Sequence, residues 1–229
     1  MRGFSSAASV ARVRQNHEDS DLWYPLETDS GTWTNKGTAG TAGLTLSGTT
    51  LGQVAGPLGK GAYLYADAGY SGAASKTLGS RGCSIWAWIV PDKSGLVWGR
   101  YKTTDGSKIL TMSITSEKLV VDVIGAGGTA TATSDRPVII GVPNLLGLVY
   151  DPEDSVTIAA YVNGIRSGEN SSVGAITWST ETPGQCVWGG GLSAHTDECP
   201  GVYAELGGVS RVLDSSEFGE MWRLGNGYP

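Results

Sequence analysis

Two sets of side chains in this 229-residue chain have the types and settings that chemistry needs. One is a set of carboxylates, Asp67, Asp122, Asp151, Glu153 and Asp154; the other is a set of aromatics in polar surroundings, Trp33, Tyr70, Trp98, Tyr101 and Trp178. Loop carboxylates could supply the hard oxygens that calcium gathers several at a time. Aromatics beside polar groups could stack on the CH faces of a sugar while their neighbours bind its hydroxyls. Each set also has a plainer account. Acids in Asp151-Pro152-Glu153-Asp154 are turn formers and solvated charges, and with 8 Trp in the chain most, Trp86 and Trp88 first, must pack in a core. Hydrolysis of a glycosidic bond needs two carboxyls about 5 to 9 Å apart. Glu217 and Glu220 fit a helix cap and a solvated face, and His195-Thr196-Asp197-Glu198-Cys199 fits a polar loop. The expectation is therefore no catalytic residue and no cofactor, calcium being the one cation whose donors are in supply.

Charge and hydropathy narrow the partners. A net charge of -6 without a Lys/Arg cluster argues against nucleic acid. Apolar runs such as Ile85 to Val90 are far shorter than the roughly 18 to 20 residues that span a bilayer. Residues Met1 to Asp21 carry Arg2, Arg12 and Arg14 but no uninterrupted apolar core of a secretory signal. Without export, Cys83, Cys186 and Cys199 read as free thiols rather than as a Cys186–Cys199 staple, and Asn170-Ser171-Ser172 reads as a turn rather than a glycosylated sequon.

The elements that position these residues are short strands. Runs rich in β-branched and aromatic residues alternate with Gly, Asp, Asn, Ser and Pro clusters from Leu22 onward, predicting about a dozen strands and two packed sheets. Expected strands include Leu22 to Leu26, Ser84 to Ile89, Leu96 to Tyr101, Ile109 to Thr115, Lys118 to Ile124, Val138 to Val142, Asn144 to Tyr150 and Val156 to Val162. In Ser84 to Val90 both faces are apolar, so the strand is central; in Leu119 to Ile124 Asp122 breaks the second face, which places that carboxylate on an accessible side. Asn163-Gly164 predicts a hairpin turn. Asp214-Ser215-Ser216-Glu217 approximates a capping box and predicts a helix over 215–223 with Phe218, Met221 and Trp222 near one side. No repeat or linker divides the chain, giving an arm over 1–21 and one sandwich domain over 22–229.

Several landmarks occur in order: Leu22-Trp23-Tyr24-Pro25-Leu26, Gly59-Lys60-Gly61-Ala62-Tyr63-Leu64, Ile85-Trp86-Ala87-Trp88-Ile89-Val90-Pro91-Asp92, Leu148-Val149-Tyr150-Asp151, Tyr161-Val162-Asn163-Gly164 and Leu213-Asp214-Ser215-Ser216-Glu217-Phe218. The set resembles the laminin G-like branch of the concanavalin A-like lectin and glucanase superfamily. That resemblance implies an all-β fold, a two-sheet antiparallel jelly-roll β-sandwich with an N-terminal arm and a short C-terminal helix. Its loops or concave face would bind glycans, calcium or proteins.

A lone jelly roll with an arm carrying Arg2, Phe4, Arg12 and Arg14 also resembles bacteriophage virion proteins of the capsid decoration or fibre type. By that analogy the chain is a non-enzymatic virion surface protein made in the host cytoplasm. Its arm would dock on other virion subunits, it would form a homo-oligomer such as a trimer, and its sandwich would face host-surface glycans. The alternatives are a free-standing carbohydrate-binding module and, third, a glycoside-active enzyme of the same fold.

Overall fold

In the computed structural model, which describes residues 20–26, 32–33, 35–38, 44–47, 53–65, 69–73, 82–102, 108–125, 128–153, 157–171, 185–189 and 197–225, the strand with two apolar faces is central. This is β7 (Cys83–Pro91), paired on one side with β12 (Asn144–Asp151) and on the other with β16 (Gly201–Val209), both antiparallel. Around it the sheet runs β14 (Ile165–Asn170), β13 (Thr157–Val162), β12, β7, β16, β5 (Gly59–Leu64) and β4 (Gln53–Gly56), with β1 (Leu22–Tyr24) also on β16. The second sheet runs β11 (Gly128–Pro137), β10 (Lys118–Gly125), β9 (Lys108–Thr115), β8 (Gly95–Tyr101), β15 (Gln185–Trp188), β6 (Gly69–Ala73), β3 (Leu44–Ser47) and β2 (Thr32–Trp33). The two antiparallel sheets form the expected β-sandwich.

Alternation along β7 sorts its side chains. Ile85, Ala87 and Ile89 enter the core between the sheets with Val97, Leu110, Met112, Leu119, Val121 and Leu148. Trp86 and Trp88 point the other way into a second cluster with Leu145, Tyr161 and the helix α1 (Ser215–Gly225), whose Phe218, Met221 and Leu224 bury themselves there. Phe218 stacks on Tyr161 with centroids 4.2 Å apart, and Trp222 stacks on Trp88 at 5.4 Å. The helix starts where the sequence predicts. The Asp214 carboxylate accepts from the backbone N–H of Ser216 (2.8 Å) and Glu217 (2.9 Å), and Glu217 accepts in return from the Asp214 N–H (2.9 Å). Helix α1 thus covers the outer face of the first sheet, the helix-covered sheet, and leaves the second, the open sheet, with an outer face of different character.

Five strands that the sequence did not mark are β2, β4, β6, β11 and β14. The ten-residue β11, Gly-Thr-Ala-Thr-Ala-Thr-Ser-Asp-Arg-Pro, alternates faithfully but uses threonine and alanine in place of large apolar residues. It closes one side of the sandwich against β14 through Arg136 N–H to Ser167 Oγ (2.7 Å) and Asn170 Nδ2 to Thr131 O (3.0 Å). Conversely, the apolar run Val138 to Val142 is a loop, not a strand. Asn144 is buried and its amide donates to Ile139 O (2.9 Å) and Val142 O (2.8 Å), and Gly141 takes φ of 77°. These bonds fold the run back on itself and leave Ile139 and Val142 exposed.

The Asn163-Gly164 turn has φ of 55° and 79°, as a type I′ hairpin requires. The β9–β10 hairpin has the same geometry, with Thr115 opposite Lys118, but places Ser116 and Glu117 at φ of 50° and 61°. Neither residue favours the left-handed region, which costs roughly 1–2 kcal/mol per residue for ordinary side chains. Ser116→Asn together with Glu117→Gly is expected to stabilise the protein by about 1 kcal/mol, which is roughly 2–4 °C in Tm at this chain length, read by calorimetry.

All three cysteines are free and buried. Burial pushes the thiols up, Cys83 and Cys199 to about 12 and Cys186 to about 11, with the Arg100 charge opposing this at Cys83 and Cys186. The native protein is therefore expected to resist a thiol-specific reagent at mildly alkaline pH and to titrate all three thiols once denatured.

Candidate functional site

Because Leu110 and Met112 of β9 and Leu119, Val121 and Val123 of β10 enter the core, the residues between them face outward. On β9 and β11 of the open sheet this outer face carries Thr111, Ser113, Thr129, Thr131 and Thr133, and on β10 between them Val120, Asp122 and Ile124. Across the strands the register aligns Val187 with Gly99, Gly99 with Thr111, Thr111 with Asp122, and Asp122 with Thr131. The same row continues as register positions through Ser71 and Thr45 to Thr32, so it crosses the eight strands of the sheet. At about 4.8 Å per strand step it extends about 34 Å.

Asp122 is the charged member of this row. Thr131 Oγ1 donates to its Oδ1 at 2.6 Å and Thr111 Oγ1 to its Oδ2 at 3.5 Å. Asp122 and Ser113 are half-buried, while Thr129, Thr131 and Thr133 stand exposed on β11. A carboxylate with both oxygens oriented by hydroxyls keeps lone pairs free for further donors. The arrangement presents acceptors and hydroxyls on a rigid sheet, as recognition of a polyhydroxylated ligand requires.

The middle of the row, on β8 and β15, is closed. Tyr101 lies over Gly99, where a Cβ would come within 2.7 Å of its ring, and with Leu96 and Val187 it forms a small buried cluster. The 197–198 segment runs beside it: Leu96 N–H donates to Asp197 O (2.5 Å), and the Asp197 carboxylate lies 3.7 Å from Lys108 Nζ. Burial, helped by the Asp197 charge, pushes the Tyr101 phenol up to about 12, so it stays protonated.

The sequence-derived candidates divide accordingly. Asp122 lies on an accessible face as expected. Trp98 and Tyr101 do not form an exposed platform: they are 1% and 3% exposed. Trp98 sits in the core 6.0 Å from Trp188, because a bulge between Leu96 and Trp98 breaks the alternation that would have turned it outward. Side chains of Trp33 and Tyr70, although on strands, and all of Trp178 lie outside the described residues, as do Asp67, Asp154, Arg2, Phe4, Arg12 and Arg14.

Among the described metal candidates Asp151 and Glu153 share a turn, and Asp122 is not brought together with them. Asp151 is on the helix-covered sheet and accepts from Glu153 N–H at 3.0 Å, a turn-forming role, whereas Asp122 is on the open sheet. Among the described residues no group of three or more His, Cys, Asp or Glu could hold a metal ion. Glu217 pairs with Arg211 (2.6 Å) and Glu220 with Arg223 (3.8 Å) around α1. The residues that sequence reasoning missed are Thr111 and Thr131. The signal was the Thr129-Ala130-Thr131-Ala132-Thr133 alternation, whose small inward residues hid a strand.

The sequence matches no protein-family model and no curated protein. Solved structures do match in fold. Domain 4 of AbnA, a GH43 extracellular arabinanase from Geobacillus stearothermophilus, in complex with arabinotriose, is similar over 89% of this chain and 98% of that one, with a TM-score of 0.70 and 14% identity. The botulinum neurotoxin type G receptor binding domain is similar over 90% of this chain and 51% of its own, with a TM-score of 0.61 and 14% identity. The binding domain of Paraclostridial mosquitocidal protein 1 is similar over 91% of this chain and 53% of its own, with a TM-score of 0.67 and 11% identity. The chain thus spans about half the length of these two toxin domains. Likeness at these identities is one of fold, and the resemblance carried by the sequence landmarks stands at that level.

Proposed function

We propose that this chain is a non-enzymatic carbohydrate-binding β-sandwich that takes an extended glycan along the outer face of the open sheet, around Asp122. The observation that carries the reading is the cross-strand row of hydroxyls on the Asp122 carboxylate, on the face that α1 leaves open. A sandwich of the same fold, matched over nearly its whole length, was solved with arabinotriose, which supports the class of ligand. The non-catalytic part of the reading is supported by carboxylate spacing. Asp135, the carboxylate of the neighbouring strand β11, is four residues along that strand from Thr131, the register partner of Asp122, about 13 Å at strand rise, beyond the roughly 5 to 9.5 Å that glycoside hydrolysis uses.

Assembly into a virion rests on the arm over 1–21, of which 1–19 lie outside the described residues, and among the described residues of the sandwich no feature favours it over a free-standing module. The test is a glycan array probed with the protein displayed multivalently, in calcium and then in chelator. Selective binding, unchanged by chelator, is the expected result. A blank array in both conditions would overturn the carbohydrate reading, and loss in chelator would return a cation to the site.

A further inference from the structure

The helix-covered sheet is not covered to its edge. On β5 Ala62 and Leu64 enter the core, so Tyr63 faces outward, opposite Val202 of β16, which in turn lies opposite Val90 of β7. Val90 and Val202 are half-buried, and the face here is apolar without being closed. Tyr65, two residues on, is 47% exposed. Its ring packs edge-on against Tyr63, with centroids 4.9 Å apart and planes at 72°. Tyr63 is fixed in turn by its hydroxyl, which donates to Asp92 Oδ2. That bond, then burial and the Asp92 charge, pushes the Tyr63 phenol above its ordinary range, so it remains a donor at any physiological pH. Asp92 is itself anchored, its N–H donating to Pro200 O at 2.9 Å, while its side chain stays exposed.

We propose that Tyr65, Tyr63 and Asp92 form a second carbohydrate-binding site, in which a sugar ring stacks on Tyr65 and donates a hydroxyl to Asp92. The Tyr65 ring is braced against a neighbour that is hydrogen-bonded in place. A braced ring loses little freedom on binding, and a carboxylate beside it supplies the acceptor that a CH-faced, hydroxyl-edged ligand needs. The proposal rests on the carbohydrate reading for the class of ligand but not for its location. The two sites lie on outer faces of different sheets. With sheets about 10 Å apart and side chains projecting from both, roughly 20 Å separates them. One short oligosaccharide cannot reach both, so the protein crosslinks polysaccharide chains.

The experiment is affinity electrophoresis of the full chain in gels containing arabinan, xylan, galactan, mannan or mixed-linkage glucan. Wild type is compared with Asp122→Ala, Tyr65→Ala and the double variant, with turbidity of each polysaccharide solution as a second readout. Tyr65 is half-exposed, so its variant keeps the fold, and unchanged thermal unfolding checks that. The expected result is weakening of roughly 3- to 10-fold in Tyr65→Ala, retention lost only in the double variant, and turbidity lost in each single variant. Tyr65→Ala that matches wild type in both readouts would overturn the second site and leave the Asp122 row standing. Loss in Tyr65→Ala with Asp122→Ala unaffected would support the tyrosine site and overturn the row. Retention of wild type by none of the five polysaccharides would overturn both.

Discussion

Phe218→Ala is expected to destabilise the fold by about 3–5 kcal/mol, the range for truncating a buried phenylalanine, and to lower Tm by roughly 10 °C or more. The ring is fully buried between two partners on adjacent strands. Tyr161 of β13 stacks on it, and Gly147 of β12, directly opposite Tyr161, provides the dent into which it sits. A Cβ at Gly147 would come within 2.3 Å of Phe218 Cε1. Gly147→Ala alone is therefore expected to be destabilising by overpacking, about 1–3 kcal/mol. In the Phe218→Ala background the same glycine change fills part of the space left by the ring. The double variant should lie above the sum of the singles by a coupling of about 1 kcal/mol or more in denaturant melts. Simple additivity would mean that α1 is not seated on Gly147 and Tyr161 as described. The consequence reaches beyond one residue, because α1 is what keeps Trp86 and Trp88 from water.

The features that sequence made legible are those in which local chemistry and long-range packing agree. β7 carries large apolar residues at both parities, which only a strand covered on two sides can bury, and it lies between a sheet core and a helix. The capping residues of α1 need no tertiary information at all, since Asp214 and Glu217 satisfy each other's end of the helix. Where the two levels part, the sequence misleads. Val138 to Val142 has strand composition but is tied into a loop by Asn144, a residue whose role is visible only once its amide is seen to serve two carbonyls. β11 has weak composition but the right period, and its partner strands make it. The site suffered from the same split. Asp122 could be placed by parity alone, yet its two threonines come from strands on either side, and nothing local relates positions 111, 122 and 131. Trp98 was a candidate for its polar surroundings, and the bulge that turns it into the core shifts parity by one residue without a sequence mark.

Asp122→Ala is expected to weaken binding of the recognised glycan about 10- to 100-fold, while moving Tm little. A hydrogen bond to a charged acceptor contributes about 1.5–3 kcal/mol, and each 1.4 kcal/mol is a factor of about ten in affinity. The stability term is small for a different reason. Thr131 is exposed, so its hydroxyl finds water when the carboxylate is removed, and only the buried Thr111 is left with a weaker, 3.5 Å bond to replace. Asp122→Asn separates charge from shape. It keeps one acceptor oxygen and a similar volume, so an intermediate loss of affinity would show that the carboxylate acts as an acceptor of sugar hydroxyls. Thr131→Val probes orientation: it removes the short bond that fixes Oδ1 and should cost affinity without altering the charge, by less than Asp122→Ala does. A larger loss in Thr131→Val than in Asp122→Ala would place the ligand on the β11 threonines rather than on the carboxylate. Equal binding in all three variants and wild type would remove the outer face of the open sheet from consideration altogether. Calorimetric titration beside thermal unfolding reads both quantities on the same samples, and the pattern that identifies a binding row is loss of affinity with the fold intact.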